Sequence, residues 1–337
     1  DLTRINYQEG MGDMRDKAAR LQKLTDAIGK DWGFTAEEAA DADRAAFLSK
    51  SDLATGMVTE FTELQGEMGK EYALLDGEKP EVAKAIFEQY MPRFAGDILP
   101  EQEIGRALSL ADKLDNLAAT FLRGLIPTGS QDPFALRRQT LGAVNILTAG
   151  KIHWDIRRGI EAALALLPGD EETKKTVLSQ IEDFFRQRIK AIMLDEGIAY
   201  DIIDAVLAGP VDDIYALFLK ARSKAESQLK DEADLRQAVT RLANITKGKT
   251  GGKVDPSLFT EGVEKKLQDA FAAVSAKALP LFASYEYGKA LPALKELTAP
   301  INDYLDNVMV MVDDEAVKNN RISQLLATLA LFNTWGD

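Results

Sequence analysis

The sequence predicts an all-α protein with more than one helical domain. Apolar side chains recur at three- and four-residue spacing through most of the 337 residues, as in helices that bury one face. Glycine and proline separate these segments, and no clear alternation of apolar and polar residues indicates a strand. Hydrophobic residues make up 46% of the chain and charged residues 28%, as in globular proteins. The length suits two domains of roughly 150 residues each.

The clearest helix in the first half is predicted over residues 104–122. Its apolar positions form one continuous stripe: Ile104, Ala107, Leu108, Ala111, Leu114, Leu117, Ala118, Phe121 and Leu122. Gly124 and Pro127 are expected to end it. Asp132 is expected to cap the next helix, with Pro133 in its first turn.

The second half continues with helices after a boundary near residues 150–170. Helices are predicted over 171–196, 200–208, 212–229, 258–279, 285–312 and 314–335. Pro292 and Pro300 are expected to bend or break the helix 285–312. Residues 247–256 (KGKTGGKVDP) are predicted to form a basic loop.

Residue types that are missing from the chain exclude several kinds of chemistry. Without cysteine there can be no disulfide, thiolate metal site or cysteine nucleophile. A single histidine, His153, argues against most hydrolase mechanisms and against metal sites with several histidines. No Gly-Lys pair has the spacing of a phosphate-binding loop, so nucleotide binding is not supported. No apolar run approaches the ~18–20 residues of a membrane span, and no membrane partner is expected.

The charge distribution is uneven. A net charge of −13 taken alone argues against binding to nucleic acid. Residues 137–158 nevertheless contain five cations and only one acid, Asp155, and residues 241–253 contain Arg241, Lys247, Lys249 and Lys253 with no acid. Such segments either face water or contact phosphates, and both interpretations remain open here.

Three aspartates resemble the layout of the His-Asp type of metal-dependent phosphohydrolase. Asp52 precedes a helix, and Asp112 and Asp115 lie on a later one. That chemistry requires histidines as well as aspartates around a metal ion that activates water. Residues 1–150 contain no histidine, and Ser51 stands where the motif has one. The pattern therefore favours a degenerate scaffold over an active phosphohydrolase.

Several longer motifs carry a resemblance to a known family. The most distinctive is PTGSQDPFALRR at residues 127–138. Further matching segments are LSKSDLATGMVTEF (48–61), ADKLD (111–115), DIIDAV (201–206), RLANI (241–245) and DNVMVM (306–311). Together they resemble the C-terminal half of the bacterial glycyl-tRNA synthetase β subunit, and the resemblance extends over essentially the whole chain.

The resemblance implies a noncatalytic part of a ligase. The family forms a heterotetramer of two α and two β subunits, in which the α subunit holds the site for glycine, ATP and Mg. The implied partners are therefore the α subunit, glycine tRNA and a second β subunit, in the cytoplasm. No cofactor is expected in this chain, and the chain alone is expected to be inactive.

The resemblance also implies three domains. Residues 1–150 are expected to form a degenerate His-Asp-type helical domain, 151–190 a helical connecting body, and 191–337 a helical-bundle anticodon-binding domain. Two departures from the family stand out. Members commonly have histidine at the position of Gln89, and they often have two phenylalanines at the positions of Tyr304 and Leu305.

Anticodon loops are recognised by stacking on splayed bases and by hydrogen bonds to base edges. The predicted contacts to the anticodon are, in order of preference, Arg321 and Asn244, then Arg236, Arg241, Lys247 and Asn320. The predicted contacts to phosphates of the tRNA body are Arg137, Arg138, Arg157 and Arg158.

Three functions therefore compete. In the leading hypothesis the chain orients glycine tRNA for charging at the α subunit. In the second it only holds the α subunit as a scaffold. In the third it keeps phosphohydrolase activity through Asp52, Asp112 and Asp115.

Overall fold

The computed structural model describes residues 2–129, 131–228 and 233–335, and it confirms the all-α class. Among these residues there are sixteen α-helices, four short 3-10 helices and no strand. Two positions named above, Ser130 of the PTGSQDPFALRR motif and Leu229 at the end of a predicted helix, lie outside the described residues. No helix in the described part is long and apolar enough to cross a membrane.

The chain divides into two compact units. The first comprises Asp1–Ile192 and Pro210–Tyr215, and the second comprises Met193–Gly209 and Ala216–Asp337. The three-domain division expected above stays a prediction.

Nine helices begin in the first unit before residue 192. They are α1 Met14–Trp32, α2 Ala36–Leu48, α3 Gly56–Glu60, α4 Glu67–Leu75, α5 Pro80–Glu88, α6 Glu103–Leu122, α7 Leu136–Ala149, α8 Ile156–Ala165 and α9 Glu171–Asp195. Side chains set several of these boundaries. Asp13 and Thr35 begin α1 and α2 with capping boxes, in which each cap side chain and the third helical residue satisfy each other's backbone N–H groups.

Helix α6 forms the centre of the first unit. It packs against α1, α2, α5, α7 and α8. Its predicted apolar stripe is confirmed, and the burial extends beyond the stripe to the charged residues Asp112, Lys113 and Asp115. A helix covered on most sides must satisfy such charges within the protein, because water cannot reach them.

The start of α7 differs from the prediction. The helix begins at Leu136, and Pro133 lies in the turn before it. Ala135, not Asp132, is the N-cap residue, but the Asp132 carboxylate accepts hydrogen bonds from the backbone N–H groups of Leu136 at 2.8 Å and Arg137 at 2.9 Å. Ala135 takes a positive φ of 54° between them, which delays the helix.

The remaining helices are α10 Tyr200–Val206, α11 Ile214–Gln228, α12 Ala233–Thr246, α13 Gly262–Ala283, α14 Tyr287–Lys295, α15 Thr298–Asn307 and α16 Glu315–Trp335. In the second unit α13 packs against α14, α15 and α16, and α12 packs against α15 and α16. The predicted helix 285–312 is in fact two helices. Pro300 lies in the first turn of α15, where its missing N–H needs no partner, whereas Pro292 lies inside α14 without ending it.

Tyr304 belongs to the hydrophobic core of the second unit and is fully buried. Among the described residues its hydroxyl has no hydrogen-bond partner. We expect Tyr304→Phe to raise the free energy of unfolding by about 1 kcal/mol, because it removes a buried polar group that gains nothing in the folded state. Urea denaturation of the two proteins measures this. A less stable variant would show that the hydroxyl makes a favourable interaction.

Candidate nucleic-acid interface

The first half of α16 holds the basic loop 247–256 in place. The Asn320 side chain accepts a hydrogen bond from the Asp255 backbone N–H at 2.7 Å and donates one to the Asp255 carbonyl at 2.9 Å. The Ser323 hydroxyl accepts another from the Gly252 backbone N–H at 2.9 Å. The loop is confirmed as irregular backbone, but these side chains fix its path.

Arg321, the neighbour of Asn320, holds a second loop, which contains Met309 and connects α15 to α16. Its guanidinium donates to Glu264 at 3.0 Å, to the Thr260 hydroxyl at 2.7 Å and to the Met309 carbonyl at 2.8 Å. The side chains of Arg321 and Glu264 are only 5% and 0% exposed. Burial raises the pKa of Glu264, but Arg321 and the backbone N–H groups at the start of α13 outweigh burial and lower it. The pair is therefore ionised and satisfied inside the protein.

The two loops held by α16 meet at the surface. Met309 and Met311 are 73% and 57% exposed, although methionine usually lies in cores. The Lys249 ammonium lies 3.1 Å from the Met311 sulfur. Lys247 and Lys253 are exposed along the same basic loop. We call these five residues the loop surface, which combines positive charge with apolar side chains.

Helix α12 carries three of the predicted contacts. Arg236 and Asn244 are exposed. Arg241 donates to Asn302 at 2.9 Å and forms an ion pair with Asp306, near the end of α15. This pairing links α12 to the helix that leads into the Met309 loop.

The predicted anticodon contacts thus fall into two groups. Arg236, Asn244 and Lys247 are exposed and Arg241 is half-buried. Arg321 and Asn320, in contrast, are 4% and 5% exposed and bind other parts of the chain. The buried partners of Arg321 lie far away in sequence, so neither its burial nor its pairing follows from local spacing. These two residues suit a role in positioning loops better than direct contact with a base.

Met309 and Met311 were not among the contacts predicted from the sequence. Both lie in the DNVMVM segment, which contributes to the resemblance to the family. A continuous apolar segment is usually buried, and Val308 and Val310, which alternate with the two methionines, are indeed buried. The acidic run that follows at Asp313 was the one signal that this segment reaches the surface.

The four arginines proposed for the tRNA body begin two different helices of the first unit. Arg137 donates to the Gly129 carbonyl at 2.6 Å, and Arg138 is exposed. Arg157 pairs with Glu161 and Glu182, and Arg158 pairs with Asp31. A phosphate would therefore compete with carboxylates at Arg157 and Arg158.

The aspartates of the phosphohydrolase hypothesis form a buried charge cluster. Asp112 forms ion pairs with the ammonium groups of Lys17, at 2.9 Å, and Lys50, at 3.1 Å. Asp115 binds Lys17 at 2.8 Å and the Arg20 guanidinium at 2.6 Å. Burial raises the pKa of Asp112, but Lys17 and Lys50 outweigh burial and hold it below its ordinary value.

Asp52 has neutral partners. It accepts from the Gly66 backbone N–H at 2.7 Å and from the Tyr90 hydroxyl at 3.2 Å. The carboxylates that a phosphohydrolase would give to a metal ion are thus bound by protein cations and neutral donors. Within the described ranges no three histidine, aspartate or glutamate side chains are grouped to hold a metal.

Comparisons with known proteins agree with the motifs. The family model described as "Glycyl-tRNA synthetase beta subunit" matches residues 1–208, and that described as "DALR anticodon binding domain" matches residues 235–335. The second match contains α12, the loop surface and α16.

Similar curated proteins are the glycine–tRNA ligase beta subunits of Clostridioides difficile (44% identity over 96% of this chain), Desulforamulus reducens (40% over 98%) and Haemophilus influenzae (40% over 98%). The chain spans about half the length of these relatives, 47% to 48%. Because the first of these family models matches residues 1–208, the chain belongs to the glycyl-tRNA synthetase beta subunit family.

Proposed function

We propose that this chain is the tRNA-holding part of a two-subunit glycyl-tRNA synthetase. It binds the anticodon region of glycine tRNA through the second unit and orients the acceptor end toward the active site of an α subunit. The chain itself performs no chemistry and uses no cofactor, while the α subunit uses ATP and Mg. A second β subunit completes the assembly, which works in the cytoplasm.

The loop surface is the observation that carries this proposal. Unpaired bases present flat aromatic faces, the polarisable sulfur of methionine makes favourable contacts with aromatic rings, and phosphates are attracted to lysines. Met309 and Met311 offer apolar side chains to bases, Lys249 adds positive charge beside Met311, and Lys247 and Lys253 are exposed along the same basic loop. This combination lies within the segment that matches an anticodon-binding domain.

Neighbouring residues can add specificity. Asn244 is exposed on α12 and can both donate and accept hydrogen bonds at a base edge. Arg236 and Arg241 extend the positive charge along the same helix. Arg321 and Asn320 support this role from inside, because they fix the backbone of the two loops before tRNA arrives.

If the chain orients tRNA, loss of its contact with tRNA should slow tRNA charging but leave the activation of glycine by ATP unchanged. In an enzyme assembled from the α subunit and a β subunit containing this chain, Met309→Ser with Met311→Ser should lower kcat/KM for tRNA charging by about tenfold. A contact between a methionine sulfur and an aromatic ring is worth roughly 0.3–1.5 kcal/mol, and the loss of two such contacts sets this magnitude. Glycine-dependent ATP–pyrophosphate exchange should stay within about twofold, because it does not involve tRNA.

A matched control is Leu279→Ser, which removes an apolar side chain that is 51% exposed on α13. It should leave both activities unchanged. If charging and exchange fall together in the methionine variant, the chain acts as a scaffold for the α subunit. If neither falls, the loop surface does not contact tRNA.

A further inference from the structure

A cavity of about 460 Å³ adjoins the buried charge cluster of the first unit. Among the described residues around it, five cationic side chains contribute to its wall: Lys17, Lys50, Arg93, Lys113 and Arg138. The carboxylates on the same wall are Asp112 and Glu63. Its size falls within the range of roughly 300–1,000 Å³ that is usual for small-molecule sites.

The cations at this cavity differ in how far the protein neutralises them. Arg93 pairs with Asp97 at 2.9 Å, whereas Lys113 is held by neutral oxygens. Asp112 is shared by Lys17 and Lys50, and Lys17 also binds Asp115. Lys113 is 4% exposed, and its ammonium donates to two neutral oxygens, the Met91 carbonyl and the Ser109 hydroxyl, each at 2.7 Å. An ammonium has three donors, so one remains for a further acceptor.

The titration of the lysines reflects the same difference. Burial lowers the pKa of Lys113 to about 7, even though Asp112 acts in the opposite direction. Burial also lowers the pKa of Lys50, and the neighbouring Lys17 contributes to that decrease. A bound anion would relieve both effects, because it supplies negative charge without exposing the lysines to water.

Lys113 packs against α7, the helix that carries Arg138. Gly142 lies one turn after Arg138 on the same face of that helix. A Cβ atom at Gly142 would stand 2.8 Å from the Lys113 Cε atom, so the glycine leaves room for the lysine there. Arg138 is exposed at the cavity, and one of its five N–H donors reaches the Arg93 carbonyl at 3.3 Å. A deep ammonium and a rim guanidinium thus line one cavity.

We propose that this cavity binds a phosphate group, with the Lys113 ammonium and the Arg138 guanidinium as its principal cations. Phosphate suits the site because its tetrahedral oxygens can accept from several donors at once and its charge complements the unneutralised lysine. The cavity is larger than the phosphate, which leaves space for a nucleotide that carries it. The site belongs to the first unit, so its failure would leave the proposed role of the loop surface untouched.

Calorimetric titration of the 337-residue chain with inorganic phosphate tests the site, with sodium chloride of equal ionic strength as the reference. Saturable binding is expected, and Lys113→Met should weaken it by at least about tenfold, as expected for a lost hydrogen bond between charged groups. The matched control is Lys30→Met, which removes a lysine side chain that is 74% exposed on α1, and it should bind as the unaltered chain does.

The proposal would be overturned if phosphate gave no saturable binding at a concentration on the order of 10 mM, which matches the dissociation constant of very weak sites. Equal affinity in Lys113→Met would also overturn it, because the phosphate would then bind elsewhere. If Lys113→Met does not fold, Arg138→Met decides, since that side chain is exposed. A loss of several-fold supports the site, and an unchanged affinity contradicts it.

Two further titrations identify the carrier of the phosphate. Tighter binding of AMP than of a 5′-phosphorylated oligoribonucleotide would support the site as one for a free nucleotide. Tighter binding of the oligoribonucleotide, lost when its 5′-phosphate is removed, would support it as a site for an RNA end. Binding of neither, together with no binding of inorganic phosphate, contradicts the proposal.

Discussion

Replacing Arg321 by methionine is expected to lower the stability of the second unit by about 3–5 kcal/mol. Breaking a buried ion pair by removal of one partner leaves the other charge in the interior, and losses of this size are typical. Here the loss would leave Glu264 fully buried and the Met309 carbonyl and Thr260 hydroxyl without their shared donor. Urea denaturation measures the total, and hydrogen exchange of α13 and α16 locates it.

Two variants control this prediction. Arg236→Met removes an exposed arginine from α12 in the same unit and should change stability by less than about 0.5 kcal/mol. Arg321→Met combined with Glu264→Leu should be more stable than Arg321→Met alone, because no unpaired charge then remains. If Arg321→Met were as stable as the unaltered chain, the ion pair would not hold the two loops.

Asp115→Asn is expected to destabilise the first unit by about 3–5 kcal/mol. The side chain is 1% exposed and binds both Lys17 and Arg20. Its neutralisation leaves Arg20 without this carboxylate and leaves Lys17 with Asp112, which Lys17 shares with Lys50. Asp26→Asn is the matched control, since that aspartate pairs with Lys30 at the exposed surface of α1 and should matter little. Chemical denaturation with hydrogen exchange of α1 and α6 measures both. An unchanged stability would contradict the account of the cluster.

The same replacement changes how stability depends on pH. Burial raises the pKa of Asp115, but Lys17 and Arg20 outweigh burial and lower it below the ordinary value of 3.8. Its contribution is therefore complete above pH ~4 and is lost as the pH falls through the lowered value in the folded protein. Asp115→Asn should lack this part of the acid sensitivity, so the two proteins should converge in stability as the pH falls.

The sequence was sufficient for the features that depend on local patterns. The stripe of α6, the glycine after α9 and the break before Pro300 all follow from spacing, caps and backbone restrictions within a few residues. The start of α7 was placed too early because the positive φ of Ala135 has no signature in its residue type. Family membership came from long motifs rather than from composition.

The sequence was insufficient for the contacts between distant residues. Lys17 and Lys50 reach Asp112 from other helices, and Glu264 reaches Arg321 across 57 positions. A charged residue is expected to be exposed unless its partner is known, so nothing in the sequence argued against Arg321 as a base contact. The methionines of the loop surface were missed for the opposite reason, since an apolar side chain is expected to be buried.

The most direct test of the central claim is binding of the 337-residue chain to glycine tRNA and to a non-cognate tRNA across a salt series. The account predicts tighter binding of glycine tRNA, a preference that is lost in Asn244→Ala and in Met309→Ser with Met311→Ser. Replacing Lys247, Lys249 and Lys253 by glutamine should weaken binding to both tRNAs and reduce the salt slope by about 2, since each contact to a single-strand phosphate contributes roughly 0.7. Equal binding of the two tRNAs, or no binding even at low salt, would contradict a tRNA-reading role for this chain.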